Sequence, residues 1–238
     1  MAHADSAMYA AKQTNSGYAA FDPRMARTGE HGLSLLSDLR RAVDENQFYL
    51  QYQPKVALGD HHCPSAEALI RWRHPTRGFV PPDQFIPFAE QTGCIKAITR
   101  WVLGQALRQL AQWRAQGLDM ALNINISTRD LVQQDLPAIV RAQLLAEGVA
   151  ARHLCLEVTE SAIMEDPAHA LASLQALHEM GVQLSIDDFG TGYSSLAYLK
   201  KLPVQELKID RSFVMNLDAD DNDLNIVRST IGMAHHMG

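Results

Sequence analysis

The sequence predicts an α/β fold, a (β/α) barrel of the TIM type whose first strand runs antiparallel to the others. Three observations lead there. From Gln47 onward, short strand-like runs alternate with helical ones, the pattern of parallel strands joined by outer helices. The first two strand runs are separated only by residues 54–65, PKVALGDHHCPS. That is too short for a crossover helix, so this pair must close as an antiparallel hairpin. Finally, five strands carry an aliphatic face opposite a polar one, as expected where one side packs under helices.

Taken in order, residues 3–14 (HADSAMYAAKQT) read as an Ala-rich helix, and Asn15 to Gly17 as a turn. A weakly patterned link, Phe21 to Gly32, leads to a helix over 33–45 that gathers Leu33, Leu35, Leu36, Leu39 and Val43 on one face. Strands are expected at 48–53, 66–72, 121–126, 153–159, 183–187 and 206–209. Helices are expected at 82–92, 95–116, 135–147, 167–180, 194–199 and 223–237.

Composition narrows the class. The 238 residues carry 47% apolar and 20% charged side chains, and a net charge of −6, an ordinary globular composition. With no basic block, binding to DNA is not expected. No apolar run reaches the length of about 18 that a membrane span needs, and the first residues lack the layout of a signal peptide. Three cysteines (Cys63, Cys94, Cys155) without CxxC spacing argue against a disulfide framework and for a reducing, cytoplasmic setting. His61, His62 and Cys63 read as a polar hairpin turn.

The polar strand faces are the informative ones. Asn123 and Asn125 oppose Leu122, Ile124 and Ile126, while Cys155 and Glu157 oppose Leu154, Leu156 and Val158. Ser185 and Asp187 oppose Leu184 and Ile186. Glu206, Lys208 and Asp210 oppose Leu207 and Ile209, and Glu67, Leu69 and Arg71 oppose Ala68 and Ile70. A barrel interior built only for stability would be aliphatic, because buried charges cost several kcal/mol each (roughly) unless they are paired or bind metal. Carboxylates from several strands therefore point to a divalent-cation site at the C-terminal mouth. The oxygen donors Glu67, Asn125, Glu157, Asp187 and Asp188 favour Mg²⁺, Mn²⁺ or Ca²⁺ over Zn²⁺.

AEALIRWRHP (66–75), NINIS (123–127), LEVTES (156–161), SIDDFGTGYSSL (185–196) and LKIDRSF (207–213) resemble, in order and spacing, the motif series of EAL-domain cyclic-di-GMP phosphodiesterases. The likeness begins near YQPK (52–55) and covers about 33–238. It implies a barrel with an antiparallel first strand, and hydrolysis of cyclic di-GMP to a linear dinucleotide with two Mg²⁺ or Mn²⁺ ions. By that resemblance Glu67, Asn125, Glu157 and Asp187 are metal ligands, and Asp188 serves the second metal and the attacking water. Lys208 stands near that water and the phosphate, and Glu160 holds the DFGTGYSSL loop. Arg71 contacts phosphate, with Leu69 beside it in the substrate-binding set. The family also allows a homodimer through the region after the DDFG strand.

Residues 4–18 (ADSAMYAAKQTNSGY) resemble the closing helix of a GGDEF diguanylate cyclase domain, which often precedes an EAL domain. The expected division is a GGDEF remnant over 1–20, a linker over 21–32 and the EAL domain over 33–238, with a GGDEF or sensory domain upstream in the parent chain. Six strands are countable, and the family's later AEGVE-like and QG-bearing strands are not in the sequence, so an incomplete barrel is expected. A full barrel takes about 250 residues. This leaves an alternative: an inactive module that binds cyclic di-GMP or a protein partner.

Overall fold

The computed structural model describes residues 35–191, 196–215, 217 and 220–237. The expected helix at 3–14, the remnant at 1–20, the linker and the Gly192–Ser195 part of the loop lie outside the described residues.

The chain divides into two compact units. The described residues of the first are 35–48 and 72–94. Helix α1 (residues 35–44) buries Leu39 and Ala42, as its apolar periodicity requires. Helix α2 (Pro82–Thr92) opens on a proline at its first turn, where no intrahelical N–H is needed, and buries Phe85, Phe88 and Ala89. Phe48, Trp72 and Phe85 form an aromatic cluster with ring centroids 5.4–5.6 Å apart. The Trp72 indole N–H donates to Gln47 Oε1 at 3.0 Å, so its one polar atom is satisfied. Asp38 is buried with His74 at 3.1 Å, Arg77 at 3.3 Å and Arg41 at 2.6 Å. A short strand that the sequence did not suggest, β3 (Gly78–Val80), pairs antiparallel with residues 72–74. At three residues it is too brief for alternation to register.

The second unit comprises residues 49–71 and 95–237 and holds most of the sheet. Its strand order is β1 (Phe48–Lys55), β2 (Ser65–His74), β4 (Ala121–Asn125), β5 (Leu154–Thr159), β6 (Gln183–Phe189) and β7 (Glu206–Ile209). β1 and β2 run antiparallel, with Arg71 Nε donating to Gln51 across the pair. Along this order β2 with β4, β4 with β5, β5 with β6 and β6 with β7 all pair in parallel. Helices α3 (Ile95–Ala115), α5 (Leu136–Glu147), α7 (Pro167–Glu179) and α10 (Asp221–Met237) fall where periodicity put them, to within two residues at either end. Of the expected 194–199 helix, the described part is α8 (Leu196–Leu199). The aliphatic strand residues Leu122, Ile124, Leu154, Leu156, Val158, Leu184 and Ile186 are all buried, and so are Asn123, Cys155, Glu157 and Ser185 on the opposite face, so these strands are enclosed on both sides. No helix among the described residues is long and apolar enough to cross a membrane.

The sequence reading missed three short helices: α4 (Thr128–Leu131), α6 (Glu160–Glu165) and α9 (Arg211–Val214). Each directly follows the C-terminal end of a strand and is too short to show a period. Their caps were nevertheless written in the sequence: Ser127, Thr159 and Asp210 accept N–H bonds from Asp130, Ala162 and Ser212. These caps turn the chain sharply at the strand ends and fix the residues just before them.

Candidate metal centre

Parallel strands in one register bring same-phase residues into lateral rows. Asn125 lies opposite Glu157, Glu157 opposite Ser185, and Ser185 opposite Glu206. One pleat toward the strand N-termini, Glu67 lies opposite Asn123 and Asn123 opposite Cys155. Oxygen atoms of Glu67, Glu157 and Asp187 come within 4.8 Å of one another, from three different strands. Lys208 Nζ sits among them, 2.6 Å from Glu157, 2.6 Å from Asp187 and 3.3 Å from Glu67. Asn125 Nδ2 donates to Glu67 Oε1 at 2.7 Å. Its other head atom, Oδ1, is the one that can ligate a cation.

Asp188 reaches the site by a different device. Between β6 and β7 the register passes from Ile186↔Leu207 to Phe189↔Ile209, so β6 carries one residue more than its partner. Asp188 takes a left-handed backbone, φ 54°. Strict alternation would send Asp188 to the face opposite Asp187. The bulge instead leaves it in the field of Asp187, Asp210 and Lys208. Gly190 follows with φ +100°, where a side chain is strained, and a Cβ there would lie 3.0 Å from the Phe213 ring. Its N–H donates to the buried Glu160 carboxylate at 3.1 Å, tying the start of the loop to α6.

The electrostatics follow from burial and pairing. Burial pushes the Glu157 carboxyl up, and Glu67 adds to this, while Lys208 and Asn123 oppose it. Burial alone would lower the Lys208 ammonium, but its bonds to Asp187 and Glu157 raise it overall, so the lysine stays charged. Asp188 is raised by burial and by its acidic neighbours Asp187 and Asp210. The thiol of Cys155 is pushed up to about 12, first by burial and then by Glu206 and Glu157, so it packs as an inert group.

Three carboxylates and an amide oxygen, with no imidazole or thiolate among them, are the donor set of a hard divalent cation. The only side chain of Glu67, Glu157, Asp187 and Lys208 that brings positive charge is Lys208, so the cluster carries surplus negative charge and fits Mg²⁺ or Mn²⁺. Arg71 stands at the C-terminal half of β2, its Nε bonded to Gln51 Oε1 at 2.8 Å and Nη1 to the Ile70 carbonyl at 2.9 Å. Leu69, on the same strand face, is half-buried. Sequence reasoning missed Lys55, whose Nζ pairs with Glu206 at 2.5 Å and lies 3.6 Å from Glu157. Lys55 ends the YQPK stretch where the family likeness begins, but nothing in the sequence assigned it a partner.

Known proteins agree with this arrangement. The EAL domain family profile matches residues 36–238. The bifunctional diguanylate cyclase/cyclic di-GMP phosphodiesterase MucR of Pseudomonas aeruginosa is 45% identical over 235 residues, 98% of this chain and 34% of MucR. The cyclic di-GMP phosphodiesterase NbdA of the same organism is 44% identical over 206 residues, 86% of this chain and 26% of NbdA. The chain thus spans about a third or less of these relatives. A solved MucR phosphodiesterase structure, in complex with c-di-GMP, superposes with a TM-score of 0.82 at 45% identity, covering 86% of this chain and 83% of that one. The shared fold is the TIM-like barrel with an antiparallel first pair. Strand register, acidic cluster and sequence likeness thus converge: this chain belongs to the EAL domain family.

Proposed function

We propose that this chain hydrolyses one phosphodiester bond of cyclic di-GMP to give a linear dinucleotide. The observation that carries the reading is the convergence of Glu67, Glu157 and Asp187 within 4.8 Å. With Asn125 they would hold one Mg²⁺ or Mn²⁺, and Asp188 with Asp187 a second. Such ions, when bound, supply a hydroxide at neutral pH and neutralise charge on the leaving oxygen. The protein does the rest. Lys208 keeps a fixed positive charge where phosphate charge grows, and its three acidic neighbours hold it charged and in place. Glu160 anchors Gly190, and so the turn that follows the aspartate pair. Arg71, oriented by Gln51, offers guanidinium N–H groups to a phosphate, and Leu69 gives the site an apolar wall. The likeness to two relatives named as cyclic di-GMP phosphodiesterases, and to a structure in complex with c-di-GMP, supports this substrate.

The same reading assigns residues 1–20 to the end of a diguanylate-cyclase-type domain. The alignment with bifunctional MucR runs over 235 residues, more than the 36–238 stretch contains. The test of the activity is incubation with cyclic di-GMP and Mn²⁺ or Mg²⁺, with the products separated by chromatography. Linear dinucleotide should appear with the native chain and be absent with Glu67→Gln or Asp187→Asn, whose circular dichroism should match the native. Turnover that survives both substitutions would remove the proposed ligand set. Binding without turnover by the native chain would favour the inactive binding module instead.

A further inference from the structure

Glu157 is the most enclosed acid of the cluster, its side chain 0% exposed. Its two oxygens face opposite ways. Oε2 receives Lys208 Nζ at 2.6 Å, on the side of Glu67 and Asp187. Oε1 receives Asn123 Nδ2 at 2.8 Å, on the side toward the strand N-termini. Asn123 is itself 2% exposed and lies one pleat below Asn125 on the same face of β4. An ionised carboxylate can only accept, so the amide must present its N–H₂ to Oε1. Lys55 Nζ also stands 3.6 Å from the same Oε1, held by Glu206 at 2.5 Å, and Glu206 in turn accepts from the buried Ser185 hydroxyl at 3.0 Å. A layer kept only for stability would be aliphatic here. A buried amide is instead spent on one oxygen of one acid.

We infer that Asn123 is a positioning residue: its N–H₂ pins Glu157 Oε1 so that Oε2 is presented to the cation. This rests on the proposed metal role of Glu157. Groups that orient a ligating carboxylate change metal affinity by about 10–100-fold when lost. The test compares the native chain with Asn123→Leu, which keeps the volume and loses the donor, and Asn123→Ala, which removes both. Mn²⁺ binding is measured by electron paramagnetic resonance titration, cyclic di-GMP turnover is followed in parallel, and thermal unfolding in EDTA reports the fold. Both folded variants should bind Mn²⁺ about 10-fold more weakly or worse, with kcat reduced and KM near native. Should Asn123→Leu overpack and fail to fold, Asn123→Ala alone decides by the same criterion. Native affinity and kcat in a folded variant would show that the amide only fills space, and would overturn the inference while leaving the hydrolase reading intact. Absence of Mn²⁺ binding and turnover in the native chain would overturn both, and that arm tells the two failures apart.

Discussion

Lys208→Met removes the positive charge that pairs with Glu67, Glu157 and Asp187 while keeping most of the side-chain length. Its Nζ stands 2.6 Å from both Glu157 and Asp187, with side-chain exposures of 22% for the lysine, 0% for Glu157 and 20% for Asp187. At an effective dielectric of about 20, each such contact is worth about 6 kcal/mol of attraction, most of it offset by desolvation. Removing one partner from a buried ion pair costs about 3–5 kcal/mol, because the remaining charge is left without compensation. The partial exposure of Lys208, Asp187 and Glu67 places this site at the lower end, about 3 kcal/mol. For a chain of this size that lowers the melting temperature by about 6–12 °C. The assay is thermal unfolding, monitored by circular dichroism, in EDTA and again in millimolar Mn²⁺. In EDTA the variant should melt earlier by that margin. In Mn²⁺ the gap should narrow, since a cation enters the variant's cluster without displacing an ammonium and stabilises the folded chain by mass action. A Lys208→Met chain within about 1 kcal/mol of native in EDTA would refute the view that this lysine neutralises the cluster, given the pair-breaking cost above. A gap that Mn²⁺ leaves unchanged would refute the view that these carboxylates take up a cation.

Two further outcomes are expected. Gly190→Ala should destabilise by about 2 kcal/mol, the cost of a backbone region nearly closed to side chains, because φ is +100° and the new Cβ would meet Phe213 at 3.0 Å. Denaturant unfolding measures it, and a neutral result would mean that the turn relaxes freely. In the first unit, burial tends to raise the Asp38 carboxyl, but Arg41, His74 and Arg77 outweigh it and hold the group below its ordinary 3.8. The folded chain therefore binds this proton less readily than the unfolded one. The stabilisation is complete above the ordinary carboxylate value and is lost as pH falls through the depressed folded one. Asp38→Asn should flatten the acid limb of the stability profile, as read by denaturant titration between pH 6 and pH 3 (approximately the span over which such a group acts). An unchanged limb would show that this cluster is not what acid breaks.

The sequence alone determined the alternation of strands and helices, the hairpin that sets β1 against the others, and the strand phase. Those rest on local rules: period, loop length, and the cost of burying a charge. Because Leu122, Leu156 and Ile186 had to face the packing side, Asn123, Glu157 and Asp187 had to face the other, where Glu157 accepts from Asn123 and comes within 4.8 Å of Asp187. Tertiary structure decided everything that depends on register. Only the pairing of β6 with β7 inserts the extra residue that turns Asp188 toward Asp210, and alternation would have sent it away. Only the assembled sheet brings Lys55 within 3.6 Å of Glu157, from a strand that lies about a hundred residues earlier in the chain. The reason is physical. Which face a side chain takes is set by its own strand, whereas which atoms it touches is set by the offset of neighbouring strands, and no residue carries that offset by itself.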